Sequence, residues 1–263
     1  MSKFESTTRF WLHVIAGVIP MYLFGFYAVY TLFVGQDLNW LWATLVGYVC
    51  VNMLGISACY HRMLSHKGFT TYRPIKWFML WSAAICAQGS PISWVTIHRG
   101  YHHRLADAPG DPHSPKDGFW HSYIGWMFKT KNGELSPKYT VDLLRDPDCV
   151  LIHNRYAEIL FLSHIIIACI SFDFWLYAML LPVFITSHSY SLNTSVNHYT
   201  KLGYRNYETK DDSINVLWLW PLILGEAWHN NHHGNAKNPN YGVKSWELDP
   251  TYWLIKLIRK RED

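Results

Sequence analysis

The chain has little from which to build a disulfide framework or a thiolate metal site. Its five cysteines, Cys50, Cys59, Cys86, Cys149 and Cys169, form no C-x-x-C pair. Most lie within apolar runs and read as buried thiols. The H-E-x-x-H signature of zinc proteases is missing. Only one Glu-x-x-His pair occurs, Glu226 to His229, whereas carboxylate-bridged di-iron bundles use two such pairs and further glutamates. Charge is also scarce, at 16% of residues with a formal net charge of +4. That is too diffuse to argue for nucleic acid. No cleavable signal peptide is expected, because the first apolar run is too long for a signal core and lacks a small-residue cleavage site.

What the chain does have is apolar and aromatic surface. Half of its 263 residues are hydrophobic and 17% are aromatic, with 14 Trp. Average hydropathy is nevertheless near zero, so apolar spans coexist with a sizeable polar part. One compact domain over 1–263 is expected. A first span is predicted over about 10–34, broken only by Pro20, and a second over about 38–59, joined by the turn Gly35-Gln36-Asp37. Each is long enough to cross a hydrocarbon core of roughly 30 Å. Residues 77–95 are apolar but carry Gln88 and a Gly89-Ser90-Pro91 break, which suits a buried or interfacial helix. A second hairpin is predicted over about 157–171 and 174–190, with Asp173 at its turn. The polar parts, 60–156 and 191–263, form a cap that ends in a basic amphipathic helix.

Orientation follows from the positive-inside rule. The turns at 35–37 and 171–173 contain no Lys or Arg. Lys3, Arg9, Arg62, Lys67, Arg73, Lys76, Arg99, Arg104, Lys201, Arg205 and the basic tail lie at the opposite ends. The expected fold is therefore all-α, with four transmembrane helices as two hairpins, both termini cytoplasmic, and a cytoplasmic helical cap.

Nine histidines gather on that same side. They occur as His61-Arg-Met-Leu-Ser-His66, His98-Arg-Gly-Tyr-His102-His103 and His229-Asn-Asn-His232-His233, with His198 alone. Neutral imidazole is a common metal ligand, and nine exceed the needs of one ion. Residues four apart share a helix face, so His98 and His102 are expected to point to one ion and His103 to a second. The third cluster repeats the arrangement. His61 and His66, five apart, suit a helix end instead. His13, His121, His153, His164 and His188 read as ordinary core or surface histidines. Clustered imidazole alone leaves Zn, Cu, Fe and Ni open.

HRMLSH, HRGYHHR followed by DPHSP, and GEAWHNNHH resemble the three histidine boxes of the integral-membrane fatty acid desaturases. The similarity is closest to the delta-9 acyl-CoA and acyl-lipid branch, and it covers roughly residues 38–248. QGSPISWV and SVNH also resemble that branch. The resemblance implies that His61, His66, His98, His102, His103, His198, His229, His232 and His233 hold two iron ions. It places Gln88 and Trp94 against a bent acyl chain. Asp107 and Asp111 are candidates to orient ligand imidazoles. Two departures stand out. The second box has three residues between His98 and the His102-His103 pair, where close relatives have two. Where those relatives carry Asn four residues before the lone histidine, this chain has Thr194, with Asn193 one step earlier.

The implied activity is O2-dependent insertion of a cis double bond, at the delta-9 position, into a saturated acyl chain carried by CoA, acyl carrier protein or lipid. No cytochrome b5-like or ferredoxin-like segment is present, so electrons are expected from a separate donor of one of those types, attracted by basic surface. Arg62, Lys67, Arg99 and Arg104 are candidates to attract an anionic carrier. A membrane hydroxylase or ketolase would use the same type of site. A metal transporter would place its ligands along a path within the spans and not at one end.

Overall fold

Gly47 sets how closely two of the long helices cross. A Cβ built there would lie 2.0 Å from the carbonyl oxygen of Ala178, so backbone meets backbone, as small residues allow in helix packing. A computed structural model describes residues 14–129 and 136–261. Among them no β-strand forms, and the fold is all-helical. The predicted start of the first span lies outside the described residues, as do His13, Lys3 and Arg9.

Helix α1 covers residues 14–33. Its regular α-helical part begins at Ile19–Phe33, with Pro20 in the first turn, where the missing N–H costs least. A turn at Gln36, with φ of 62°, leads to α2, Leu38–Ser65. Helix α2 is the one helix among the described residues long and apolar enough by itself to cross a membrane. Its second half, Val49–Ser65, is π-wound, so hydrogen bonds run between residues five apart. The amide of His66 accordingly donates to the carbonyl of His61 at 3.2 Å.

Helix α3, Arg73–Ala84, returns along α2, and a Cβ at Gly55 would lie 2.8 Å from the backbone of Ala83. The apolar stretch over 77–95 is divided between two helices at the Gly89-Ser90-Pro91 break. Ala87 and Gly89 adopt positive φ, and Ser90 then caps Pro91–Ile97, the start of α4. Helix α4 continues through residue 105 and is π-wound over His98–His102. Short helices α5 (121–129), α6 (137–144) and α7 (Pro147–Asn154) follow. Arg73 and Lys76 of α3 bind Asp148 and Asp146 at the start of α7.

Helices α8, Tyr156–Ile170, and α9, 172–196, form the second hairpin, and Ser171 caps α9. By length and composition neither passes as a span on its own. Helix α8 qualifies only together with α7, from which it is bent by 68°. The reason lies in the sequence, since the second half of α9, TSHSYSLNTSV, is polar. The buried apolar core lies among α1, α2, α3 and α9, with a smaller cluster around Trp228 and Ile214. Of the cysteines, Cys59, Cys86 and Cys149 are buried as expected. Cys169 is exposed, because its side of α8 faces outward with Ile165, Ile166 and Ile170. Helices α10 (Leu217–Ala227), α11 (His229–Gly234) and α12 (Pro250–Ile258) complete the chain.

Candidate metal centre

Five imidazoles meet where the end of α2, the middle of α4 and helix α11 converge. His61, His66, His98, His103 and His232 bring one nitrogen each to within 4.8 Å of all the others. Beside them, His102, His198, His229 and His233 form a second group on the same criterion. The two groups adjoin, with the rings of His103 and His233 stacked at 4.4 Å.

Helix winding decides which histidine joins which group. Helix α11 is α-wound, so His229 and His233, four apart, point together and His232 points to the other group. In α4 the expected pairing of His98 with His102 is overturned. The π turn puts residues five apart on one face, and the amide of His103 donates to the carbonyl of His98. His98 therefore joins His103, and His102 is the one turned away. The same winding in α2 aligns His61 with His66, which an α-helix would splay. The extra residue of the second box is absorbed in this way. Gly100 sits in the π turn, where a Cβ would strike the Tyr139 ring at 2.6 Å.

Carboxylates hold the backs of four rings. Nδ1 of His102 bonds Asp111 at 2.9 Å, that of His198 bonds Asp107 at 2.8 Å, and that of His233 bonds Asp211 at 2.8 Å. Nδ1 of His61 lies 2.7 Å from Glu226. Asp107 and Asp111 are the two carboxylates that follow the second box in the sequence. Asp211 and Glu226 were not singled out for this position. Glu226 was noted only as half of a Glu-x-x-His pair, and nothing local to Asp211 signals His233, 22 residues away.

The Nε2 atoms face inward. His61 and His232 approach to 3.0 Å, His66 and His98 to 3.0 Å, His103 and His232 to 2.7 Å, and His198 and His229 to 3.1 Å. A carboxylate that accepts a hydrogen bond from Nδ1–H keeps the proton there and leaves Nε2 as a bare lone pair. In His233 that Nε2 is buried and has no hydrogen-bond partner. Lone pairs crowded this way repel unless a cation sits among them. With metal–nitrogen bonds of about 2.1 Å, adjacent ligands at a right angle lie about 3.0 Å apart, and the observed spacings fit. The donor set therefore suits metal ions.

Electrostatics agree. Burial first, and neighbouring imidazoles second, hold His66, His98, His103, His229 and His232 well below the ordinary value of 6.5. His233 is held at about 4, mainly by burial. These rings are neutral, as ligation requires. His102 differs. Burial is its largest influence and lowers it, but Asp111 and the other carboxylates together raise it. Glu226 is driven down to about 2: burial opposes this, but His61 and Arg62 outweigh it.

The Trp94 indole stacks on His98 at 4.9 Å. The amide nitrogen of Gln88 is buried without a partner. Asn193 accepts a hydrogen bond from Asn197 at 2.5 Å. The Thr194 hydroxyl bonds only the carbonyls of Tyr190, Ser191 and Ser122. Arg62 is fully buried in a network with Glu226 and Asp249, so it cannot attract a carrier. Arg99 is likewise committed, donating to the carbonyls of Leu64 and Ser65 at the end of α2 and to Asp142. Arg104 lies against Tyr139 and Lys67 pairs with Asp142. The histidines read as ordinary do have ordinary partners. His121 bonds Pro112, His153 bonds Ser90, His164 bonds Ile85 and His188 bonds Tyr123.

Fold and site together define an all-helical protein with a buried histidine centre that could hold metal. Residues 38–259 match the fatty acid desaturase family, and the chain belongs to that family. It is an oxidoreductase, and the family is membrane-associated. It is 31% identical over 227 residues to an sn-1 stearoyl-lipid 9-desaturase of Anabaena variabilis, covering 84% of this chain and 82% of that one. It is 35% identical over 218 residues to a chloroplastic palmitoyl-monogalactosyldiacylglycerol delta-7 desaturase of Arabidopsis thaliana, covering 81% and 57%. An acyl-CoA 5-desaturase of Anemone leveillei is 32% identical over 226 residues, covering 82% and 68%.

Proposed function

We propose that this protein inserts a cis double bond into a saturated fatty acyl chain, at the delta-9 position, with two iron ions held by the nine histidines. The observation that carries the reading is the convergence of nine imidazoles in two adjoining groups, seven of them at Nε2 spacings of 2.7 to 3.1 Å. Iron bound there supplies, from O2 and two electrons, an oxidant strong enough to take hydrogen from an unactivated C–H bond. No acid or base in the chain could remove such a proton near neutral pH. The chain's own part is to bind, orient and exclude water. Trp94, stacked on His98, offers a flat apolar wall beside the five-histidine group. Gln88, with its unpaired amide, is suited to meet the chain where it bends. Asp107, Asp111, Asp211 and Glu226 keep four rings turned inward.

The substrate is an acyl chain on CoA, acyl carrier protein or lipid. Relatives described as acyl-lipid and acyl-CoA desaturases support the class. Their 9-, 7- and 5-positions make the bond position something to measure. Electrons come from a separate ferredoxin- or cytochrome b5-type donor. The membrane reading remains four spans as two hairpins within one domain, with the site and both termini cytoplasmic. Exposed Leu23, Phe26, Leu45, Ile165 and Ile170 on α1, α2 and α8 support it, since large apolar side chains left exposed on several long helices suit lipid.

The test is the fatty-acid profile of a desaturase-deficient host expressing the chain, beside its His232→Ala variant. Mass spectrometry of derivatised esters locates any new double bond. A new monounsaturated acid that vanishes in the variant is expected. A hydroxylated product would instead assign the hydroxylase reaction, and no product with a working donor would remove acyl chains as substrate.

A further inference from the structure

Helix α12 supplies none of the nine histidines, yet its N-cap residue, Asp249, is linked to the five-histidine group through Arg62. Asp249 caps the helix through Oδ1, which accepts from the amide of Tyr252 at 3.1 Å. Its Oδ2 accepts from Arg62 Nη1 at 2.6 Å and from the amide of Tyr241 at 2.9 Å. We propose that Arg62, held by Asp249, is the positioning hub of the five-histidine group, which makes α12 part of the metal-centre scaffold. The proposal rests on the metal-binding reading above.

The Arg62 side chain is fully buried and every group around it is fixed. Nη1 also donates to the carbonyl of Pro239 at 2.8 Å, and Nη2 donates to Glu226 Oε1 at 3.0 Å. Glu226 in turn presents Oε2 to His61 Nδ1. The guanidinium lies over the Tyr241 ring, 3.9 Å from its centroid. The same ring meets His232 at 4.5 Å and His61 at 5.6 Å. One guanidinium thus sets two of the five imidazoles, one through a carboxylate and one through an aromatic face. Space is kept for this network by Gly225, where a Cβ would fall 2.1 Å from Asp249 Oδ1 and 2.9 Å from Arg62 Nη2. Among the described residues the four-histidine group has no such hub. Asp107, Asp111 and Asp211 accept from backbone amides and short hydroxyls.

A buried charge that loses its partner is strongly disfavoured. Without the Asp249 charge the guanidinium shifts toward Glu226, and Glu226 becomes a weaker anchor for His61. Removing a carboxylate that orients a ligand typically weakens metal affinity about 10–100-fold.

The experiment uses the full chain in lipid nanodiscs, loaded with iron. It reads metal per chain, the rate of metal loss to an added chelator, and thermal unfolding. Asp249→Asn keeps the helix cap, since Asn and Asp cap equally well, and removes the charge. The expected result is two phases of metal loss, one ion leaving about 10–100-fold faster and the other at the wild-type rate. Asp249→Glu, which keeps the charge, is expected to bring the fast-leaving ion part of the way back to the wild-type rate. Ile255→Ala, on the buried face of α12, is expected to lower the unfolding temperature while both ions leave at the wild-type rate. Unchanged metal loss in Asp249→Asn, or equal loss of both ions in Asp249→Asn and Ile255→Ala, overturns the proposal. Wild-type chain that takes up no metal overturns the metal reading itself, an outcome visible before any variant is made.

Discussion

The two histidine groups do the same geometric work by different means. The five-histidine group draws on π-wound segments of α2 and α4, and among the described residues a carboxylate stands behind one of its rings, that of His61. That carboxylate, Glu226, is itself gripped by a buried arginine. The four-histidine group uses an α-wound pair in α11 and has carboxylates behind three of its rings, Asp111 buried and Asp107 and Asp211 slightly exposed on their loops. The first is a site made rigid by buried structure, whereas the second is tuned by local charge. A carboxylate behind an imidazole raises its basicity, so the two ions would sit in inequivalent fields.

Removing ligands should break this comparison most sharply. His66→Ala leaves four imidazoles in its group, whereas His229→Ala leaves three. Product should fall to background in both, because each group contributes to one centre. Metal content should not fall equally: His66→Ala is expected to retain more iron than His229→Ala, by elemental analysis of purified protein. Equal retention would mean that the fifth imidazole is not a ligand.

Carboxylate variants come next in size. Glu226→Gln leaves Arg62 with a weakened partner in the interior, and losing one half of a buried ion pair costs about 3–5 kcal/mol. Asp211→Asn acts at a partly exposed carboxylate that also takes hydrogen bonds from Thr209 and Ser213. Both should weaken metal binding about 10–100-fold, but only Glu226→Gln should also lower the unfolding temperature of the metal-free chain markedly. Thermal scans with and without chelator separate the two effects.

A smaller effect is set by pH. In the metal-free chain, His66, His98, His103 and His232 of the first group, and His229 and His233 of the second, are held below 6.5 when folded. The unfolded chain takes up protons near the ordinary value and the folded chain does not. Their contribution to stability is therefore complete above pH 6.5 and is lost as pH falls from 6.5 toward 4. His102 works the other way, since its raised value adds stability below 6.5 that disappears as pH rises. Four of the six acid-sensitive rings lie in the five-histidine group, so that group should loosen first. Unfolding midpoints of metal-free protein between pH 7.5 and 4.5 should drop, and a flat profile would contradict the burial of these rings as neutral bases.

Much of this was legible in the sequence because it is local. The three boxes, the interruption at 171–173, the break at Gly89 and the helix before the basic tail are written in neighbouring residues. Asp107 and Asp111 were legible because they follow the second box closely. What was not legible depends on winding or on distant contacts. Four-residue spacing predicted that His98 pairs with His102, and only the π turn around Gly100 shows that five-residue spacing governs there. Arg62 looked like one more cation of a basic collar. Its partners Glu226 and Asp249 are more than 160 residues away, and no local pattern could reveal that it is buried.

The smallest expected effect concerns Asn193 and Thr194, where sequence alone leaves open which residue faces the site. The Thr194 hydroxyl is occupied by carbonyls of its own helix and of Ser122. Such back-bonding contributes little, because the carbonyls concerned already have helical partners. Thr194→Ala should change stability by no more than about 1 kcal/mol and leave product yield within about twofold, a difference of about 0.4 kcal/mol. Asn193 is nearly fully buried, and its carbonyl accepts from Asn197, the residue before His198. Asn193→Ala leaves that buried amide with only a 3.4 Å contact to the Glu226 carbonyl and should cost about 1–3 kcal/mol. If Thr194→Ala instead proved the more damaging of the two in yield and in metal retention, the threonine would have to face the four-histidine group, and the register of α9 described here would be wrong by one residue.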